Sequence, residues 1–200
     1  MAAKSIGFPV VLKVRSPDVV HKTDVGGVRL GLTTEEETAR TFDEIREALR
    51  AAKPDARFEG VTVEPMIEGG IETIVGVTRD PAFGPIVLFG LGGVAVELLR
   101  DVSLRVAPLT DRDATEMVHE IRGHPLLLGY RGRPRANVEA VTDLLHRVSR
   151  LAMDHPEIQE LDLNPVQVFE EGRPCVALDA RLRVEARRAS VVEPAPAASR

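Results

Sequence analysis

The chain has 200 residues, 44% of them hydrophobic, enough to bury a real core in one moderately large domain or two small lobes. Its 26 Lys and Arg against 31 Asp and Glu leave a net charge of −5, and it has no Trp and one Tyr, a balance that argues against nucleic acid as the main partner. No apolar run reaches the length of a membrane span, no signal-peptide pattern opens the chain, and the single cysteine, Cys175, excludes an internal disulfide framework and fits a reducing cytoplasm.

In chain order, Phe8–Val14 (FPVVLKV) is a short Val-rich run that reads as a buried strand, and Gly27–Leu32 (GVRLGL) alternates as its hairpin partner. Thr34-Glu35-Glu36-Glu37 reads as a capping box opening an amphipathic helix to about Ala52, with Ala39, Phe42, Ile45 and Leu49 on its apolar face. Gly60–Ile67 is a strand ended or edged by Pro65, and Ile71–Asp80 is a second, with a predicted turn at Glu68-Gly69-Gly70 between them. Pro85–Gly90 is a third, leading into the Gly-rich GLGGVAVELLRD, after which Val102–Leu109 alternates as a fourth. Thr110 with Asp111 and Asp113 caps a helix to Arg122 that Gly123-His124-Pro125 stops. From Asn137 to about Met153, Val138, Val141, Leu144, Leu145, Val148 and Leu151 make one apolar stripe. IQELDLNPVQVF and PCVALDARL close the fold as a hairpin around Glu170-Glu171-Gly172, and the stretch from Glu185 onward reads as a disordered tail. The total is an α+β chain with a mixed, largely antiparallel sheet and helices packed on it, without the regular alternation of a doubly wound fold.

Three constellations carry chemistry. Lys13, Arg15, His21, Lys22 and Gly26-Gly27 surround one hairpin loop, in a chain whose only lysines are Lys4, Lys13, Lys22 and Lys53. Phosphate sites use backbone N–H groups that glycine lets a ligand approach, together with an ammonium for the negative oxygens. An imidazole, largely neutral at pH 7, is a competent phosphate acceptor. By spacing alone the same residues also describe a Gly-Gly turn with solvated charges. Second, Gly90-Leu91-Gly92-Gly93-Val94-Ala95 fits a loose dinucleotide pattern, but the next strand begins at Val102, too soon for a crossover helix. NAD binding is therefore rejected, and the segment stays a Gly-rich loop able to contact an anion or to pack tightly. Third, Asp162, Asn164 and Asp179 lie on the closing strands, where a hairpin can bring hard oxygens to one face for Mg²⁺. The alternative is a bulge at Asn164-Pro165 beside an ordinary surface charge. His119-Glu120 with His124 has the wrong spacing for H-E-x-x-H, and Cys175 has no local His to activate it.

Together, GFPVVLKVRSPDVVHKTDVGGVRLGL, GVTVEPMIEGGIETIVGVTRDPAFGPIVLFGLGGVAVELLRDVSLRVAPL and IQELDLNPVQV with VALDARL resemble the ATP-grasp part of ADP-forming acyl-CoA (acetyl-CoA) synthetases, relatives of succinyl-CoA synthetase β subunits. The resemblance implies an ATP-grasp domain over residues 1–184, with a first lobe at 1–60, a second at 61–184, and the tail at 185–200 beyond it. Relatives begin with a further helix, strand and linker, so the N-terminal lobe is expected to be cut short. The implied chemistry interconverts acid, CoA and ATP with acyl-CoA, ADP and phosphate through phosphohistidine. It calls for ATP/ADP, Mg²⁺ and an α-type partner subunit or domain that carries CoA and the carboxylic acid, hence a hetero-oligomer in the cytoplasm. By the same resemblance His21 is a second phosphate carrier beside the nucleotide, the first phosphohistidine belonging to the α-type partner, and Lys13 contacts phosphate with Lys22, Gly26 and Gly27 beside it. Glu64, Pro65, Met66 and Ile67 line adenine, Glu72 meets ribose, and Gly92 and Gly93 face the incoming phosphohistidine. Asn164 and Asp179 hold Mg²⁺ with Asp162 near them. A second reading is a non-catalytic nucleotide-binding regulatory module, as in similar domains fused to protein-lysine acetyltransferases.

Overall fold

The computed structural model describes residues 2–93 and 101–185. Met1, residues 94–100 that follow the glycines of GLGG, and the tail from 186 onward lie outside the described residues. The chain divides after Glu68 into two units, each with its own hydrophobic core.

The first unit holds α1 (Ala2–Ile6), β1 (Val10–Arg15), β2 (Val28–Leu32), α2 (Glu35–Ala52) and β3 (Gly60–Pro65), with an antiparallel sheet in the order β2-β1-β3. Val10, Leu12 and Val14 of β1 share a core with Ile45 and Leu49 of α2. Burying each such side chain contributes about 1.5–3 kcal/mol against leaving it in water. Thr34 caps α2 through the Glu37 N–H at 3.1 Å, but the expected reciprocal bond is displaced by one residue. The Glu37 carboxylate accepts from the N–H and hydroxyl of Thr33 instead.

The largest departure from expectation is the partner of β3. Val11 faces Glu64 and Lys13 faces Thr62 across the β1–β3 ladder, and Val61 and Val63 pack against the first core. Glu68-Gly69-Gly70 is therefore not the turn of a hairpin. It carries the chain from one unit to the next, and the division falls after residue 68 rather than after residue 60.

The second unit holds β4 (Ile71–Asp80), β5 (Gly84–Leu91), β6 (Val102–Val106), α3 (Asp111–Glu120), α4 (His124–Leu127), α5 (Val138–Asp154), β7 (Ile158–Val168), β8 (Val176–Ala177) and β9 (Ala180–Val184). The strands run β6-β5-β4-β7, every named pairing is antiparallel, and β8 and β9 both pair with β7. Alternation puts Val75, Val77, Val87 and Phe89 on one face, in a core with Met117 and Val118 of α3 and Leu145 and Val148 of α5. Ile74, Ile86, Leu88 and Leu104 fall on the other face by the same alternation. Leu151, expected on the buried stripe of α5, is 38% exposed.

Helix α3 has the full capping box, with Thr110 accepting from the Asp113 N–H and Asp113 accepting from the Thr110 N–H. It ends at Glu120, and Pro125 then stands in the first turn of the short α4. Arg79 donates to the carbonyls of Ala152, His155 and Ile158, tying the last turn of α5 to the sheet. Among the described residues no helix is long and apolar enough to cross a membrane.

Candidate functional site

The loop that carries His21, residues 16–27 between β1 and β2, is braced at several points. Val19 and Val25 are buried in the first core. Asp18 accepts from the Arg57 backbone N–H at 2.9 Å and from its Nε and Nη2, both at 3.0 Å. The loop closes through the Gly27 N–H to the Lys22 carbonyl at 2.7 Å, while the Gly27 carbonyl accepts from Val14 N–H. A Cβ at position 27 would stand 2.3 Å from Val14 Cγ1 and 2.8 Å from the Lys22 carbonyl oxygen, so only glycine lets the loop return this close to β1. Between these supports His21 is exposed and Lys22 is half-buried. His21 is thus an exposed residue on a loop anchored on both sides by buried valines.

The hydrogen bonds from Arg57 hold the Asp18 carboxyl down to about 2 from its ordinary 3.8. A carboxylate with a lowered value stabilises the folded loop above the ordinary value and loses that contribution as pH falls through about 2. We expect Asp18→Asn at pH 7 to accelerate amide hydrogen exchange across residues 19–26 several-fold. The wild-type loop should approach the same rate only as the pH is taken below 3.8 toward 2. Both parts of the pair are well exposed, so high salt should shrink the difference.

Within the same unit the Lys13 ammonium lies 2.5 Å from Glu64 Oε2, and Thr62 donates its hydroxyl to Glu64 Oε1 at 3.1 Å. The side chain of Lys13 is only 11% exposed. The residue expected at phosphate and one of those expected at adenine are thus direct partners. Pro65 faces Val10 in the ladder, the Met66 N–H donates to the Pro9 carbonyl at 3.0 Å, and Ile67 is half-buried, so the segment Glu64–Ile67 follows the edge of the sheet.

In the second unit Glu72 and the Gly92-Gly93 pair come together. The Gly92 N–H donates to the Glu72 carbonyl at 2.6 Å, and a Cβ at Gly93 would lie 3.5 Å from Glu72 Oε2. Farther along the same sheet, β7 and β9 build three successive cross-strand pairs. Glu160 faces Arg183, Asp162 faces Arg181, and the Asn164 N–H donates to the Asp179 carbonyl at 3.2 Å. Leu161 lies in the helix-side core with Leu163 packed against it, so alternation sends 160, 162 and 164 to the opposite, outer face.

Asn164 and Pro165 form a bulge. Thr73 faces Val166 and Val75 faces Leu163, so two residues of β7 stand opposite one of β4. Asn164 is exposed at this bulge, and Asp179 is half-buried with its Oδ1 accepting from the Ala180 N–H at 3.1 Å. An amide oxygen and a carboxylate joined by one backbone hydrogen bond are the hard donors that suit Mg²⁺, which keeps water and nucleotide phosphate for its other positions. Among the described residues no group of three or more His, Cys, Asp and Glu is placed to hold a metal.

The outer face is divided in character. Beside the polar β7–β9 pairs it is apolar, with Ile74, Ile86 and Leu88 partly covered and Leu104 half exposed. A ligand with a flat apolar part and an anionic part matches that division. Three residues in these arrangements escape the sequence reading: Asp18 and Arg57, whose pairing spans 39 positions, and Arg181, whose two-residue spacing from Asp179 is the only local signal. The two sequence decoys stay outside. His119 and His124 stack at 4.4 Å between ring centroids, with burial lowering the His124 pKa, and burial raises that of the Cys175 thiol.

An ATP-grasp domain model matches residues 1–184. Acetate–CoA ligase (ADP-forming) I of Archaeoglobus fulgidus is 56% identical over 170 residues, 85% of this chain, although the chain spans only 25% of that protein's length. The β subunit of acetate–CoA ligase (ADP-forming) I from Pyrococcus furiosus is 48% identical over 177 residues, 88% of this chain and 75% of the subunit. The dinucleotide forming acetyl-coenzyme A synthetase 1 of Ca. Korarchaeum cryptofilum, solved with coenzyme A and Mg-AMPPCP, superposes with a TM-score of 0.78 at 45% identity, over 91% of this chain and 79% of that one. The chain therefore belongs to the ATP-grasp domain family and, within it, with the β subunits of ADP-forming acetate–CoA ligases.

Proposed function

We propose that this chain is the nucleotide-binding component of an ADP-forming acyl-CoA synthetase, working in the cytoplasm as a hetero-oligomer. Its partner is an α-type subunit or domain that holds CoA and the carboxylic acid. The observation that carries the reading is His21, exposed on a loop braced by Asp18, Val19, Val25 and Gly27. The β-subunit relative from Pyrococcus furiosus and the Mg-AMPPCP complex of the Korarchaeum protein support it.

In the half-reaction assigned to this chain, a lone pair of the neutral His21 ring forms a P–N bond to the γ-phosphorus of ATP. The bond to the β–γ bridging oxygen breaks, its electron pair leaves on ADP, and the proton on the other ring nitrogen is released to solvent. In the synthetic direction the phosphoryl group then passes to the partner, which makes acyl-CoA and releases phosphate. The demands on the protein are alignment and charge compensation. Lys13, kept extended by Glu64, supplies a positive charge for phosphate oxygens, with Lys22 and the N–H groups at Gly26 and Gly27 beside it. Asn164 and Asp179, with Asp162 near them, are the residues that would hold Mg²⁺, which when bound neutralises charge on the nucleotide. Pro65, Met66 and Ile67 are assigned with Glu64 to the base, Glu72 to the ribose, and Gly92 and Gly93 to the approach of the partner's phosphohistidine.

The test is incubation of the chain with γ-labelled ATP and Mg²⁺, followed by mapping of acid-labile label. Label on His21 is the expected result. Nucleotide binding by calorimetry without any phosphohistidine would overturn the catalytic reading in favour of a regulatory module.

A further inference from the structure

The three cross-strand pairs on the outer face of β7 and β9 are not equivalent. Arg183 is engaged twice, by Glu160 at 2.9 Å and by Glu185 at 2.7 Å, and serves the sheet as a cross-strand ion pair. Asn164 and Asp179 present oxygens. Between them stands Arg181, in register with Asp162 and two residues along the chain from Asp179, whose carbonyl accepts from the Asn164 N–H. It is exposed, and among the described residues it forms no ion pair although carboxylates flank it on both sides. Its charge is felt locally, since it helps to draw down the carboxyl of Glu160. A guanidinium keeps its charge at every physiological pH and presents donors in a planar fork that fits phosphate oxygens.

We propose that Arg181 is a catalytic residue of this chain, placed beside the Asn164–Asp179 pair to bind the phosphate oxygens of the nucleotide and to stabilise the charge that builds on them in phosphoryl transfer. This rests on the proposed function above. Phosphoryl transfer spreads negative charge over the equatorial and leaving oxygens, and a fixed arginine there acts mainly on the transition state. The fork stands on a paired strand, which reduces the ordering needed on binding.

The experiment compares the full-length chain with Arg181→Ala, Arg181→Lys and Arg183→Ala. It reads Mg·ATP affinity by calorimetry and the rate of acid-labile labelling of His21 from γ-labelled ATP. The expected result for Arg181→Ala is a labelling rate lower by about 10²–10³-fold with affinity changed several-fold at most. Added guanidinium should restore part of the rate, Arg181→Lys should recover less than the full rate because an ammonium lacks the fork, and Arg183→Ala should stay within about twofold of wild type. Labelling by Arg181→Ala at the wild-type rate overturns the assignment and leaves the proposed function standing. A wild-type chain that takes up no label overturns both.

Discussion

Replacing His21 with glutamine is expected to abolish acid-labile phosphate on the chain and to lower coupled acyl-CoA synthesis by at least about 10³-fold, as losing a covalent acceptor does. Glutamine keeps a polar side chain of comparable reach but has no lone pair basic enough to take a phosphoryl group. His21 is exposed and lies between the buried anchors Val19 and Val25, so the substitution removes the acceptor without opening the core. The thermal midpoint should therefore stay within about 2 °C of wild type, the behaviour of a surface change away from caps and packing. Labelling is the decisive readout: if His21→Gln takes up acid-labile phosphate like the wild type, another residue is the carrier. Nucleotide affinity, measured in parallel by calorimetry, should change little, because a ring that reacts with the terminal phosphate need not bind it tightly in the ground state.

The second large effect is expected at Asp179. Asparagine at this position keeps an oxygen able to accept from the Ala180 N–H, now 3.1 Å from Oδ1, so the local backbone is preserved and only the charge is removed. Opposite Asn164, the site would then offer two neutral amides. Mg²⁺-dependent nucleotide binding should weaken by about ten- to a hundredfold and labelling of His21 should fall by about 10²-fold or more. Titrating nucleotide in the presence and absence of Mg²⁺ separates these terms. Binding without the ion should be nearly unchanged or slightly better, since a carboxylate facing the phosphates is gone. If Asp179→Asn binds Mg·ATP as tightly as wild type, the oxygen pair is not the metal site.

Much of the fold was legible because periodicity reports burial. The β1–β2 hairpin, the long helix α5 and the closing strands follow directly from where Val, Leu and Ile recur. What escaped was pairing between distant segments. Nothing local to Gly60–Pro65 says that it joins β1 rather than β4, since both arrangements satisfy an alternating strand, and the choice is made by the core that Val61 and Val63 help to fill. The Lys13–Glu64 contact was hidden for the same reason. The capping of α2 shifted by a residue because the carboxylate of Glu37 has two Thr33 donors within reach. At the candidate site, each motif read alone favoured an ordinary turn or a surface charge. Their order along the chain carried the assignment, and that order is a family signature rather than a consequence of spacing. Arg181 lies inside the VALDARL run of that signature, but its place opposite Asp162 becomes visible only when β9 is laid in register on β7.

Strand β7 has neighbours on both sides, β4 along one edge and β8 with β9 along the other. Asn164 therefore sits where local opening is rarest, since freeing it means breaking ladders on two flanks at once, and Asp179 is tied to it by one backbone hydrogen bond. The position of Asn164 is settled when the sheet forms, so a ligand bound at this bulge would meet a backbone with little conformational freedom left to surrender. Differences in nucleotide affinity among proteins sharing this sheet should then arise in its surrounding loops, with the strands acting as a constant background.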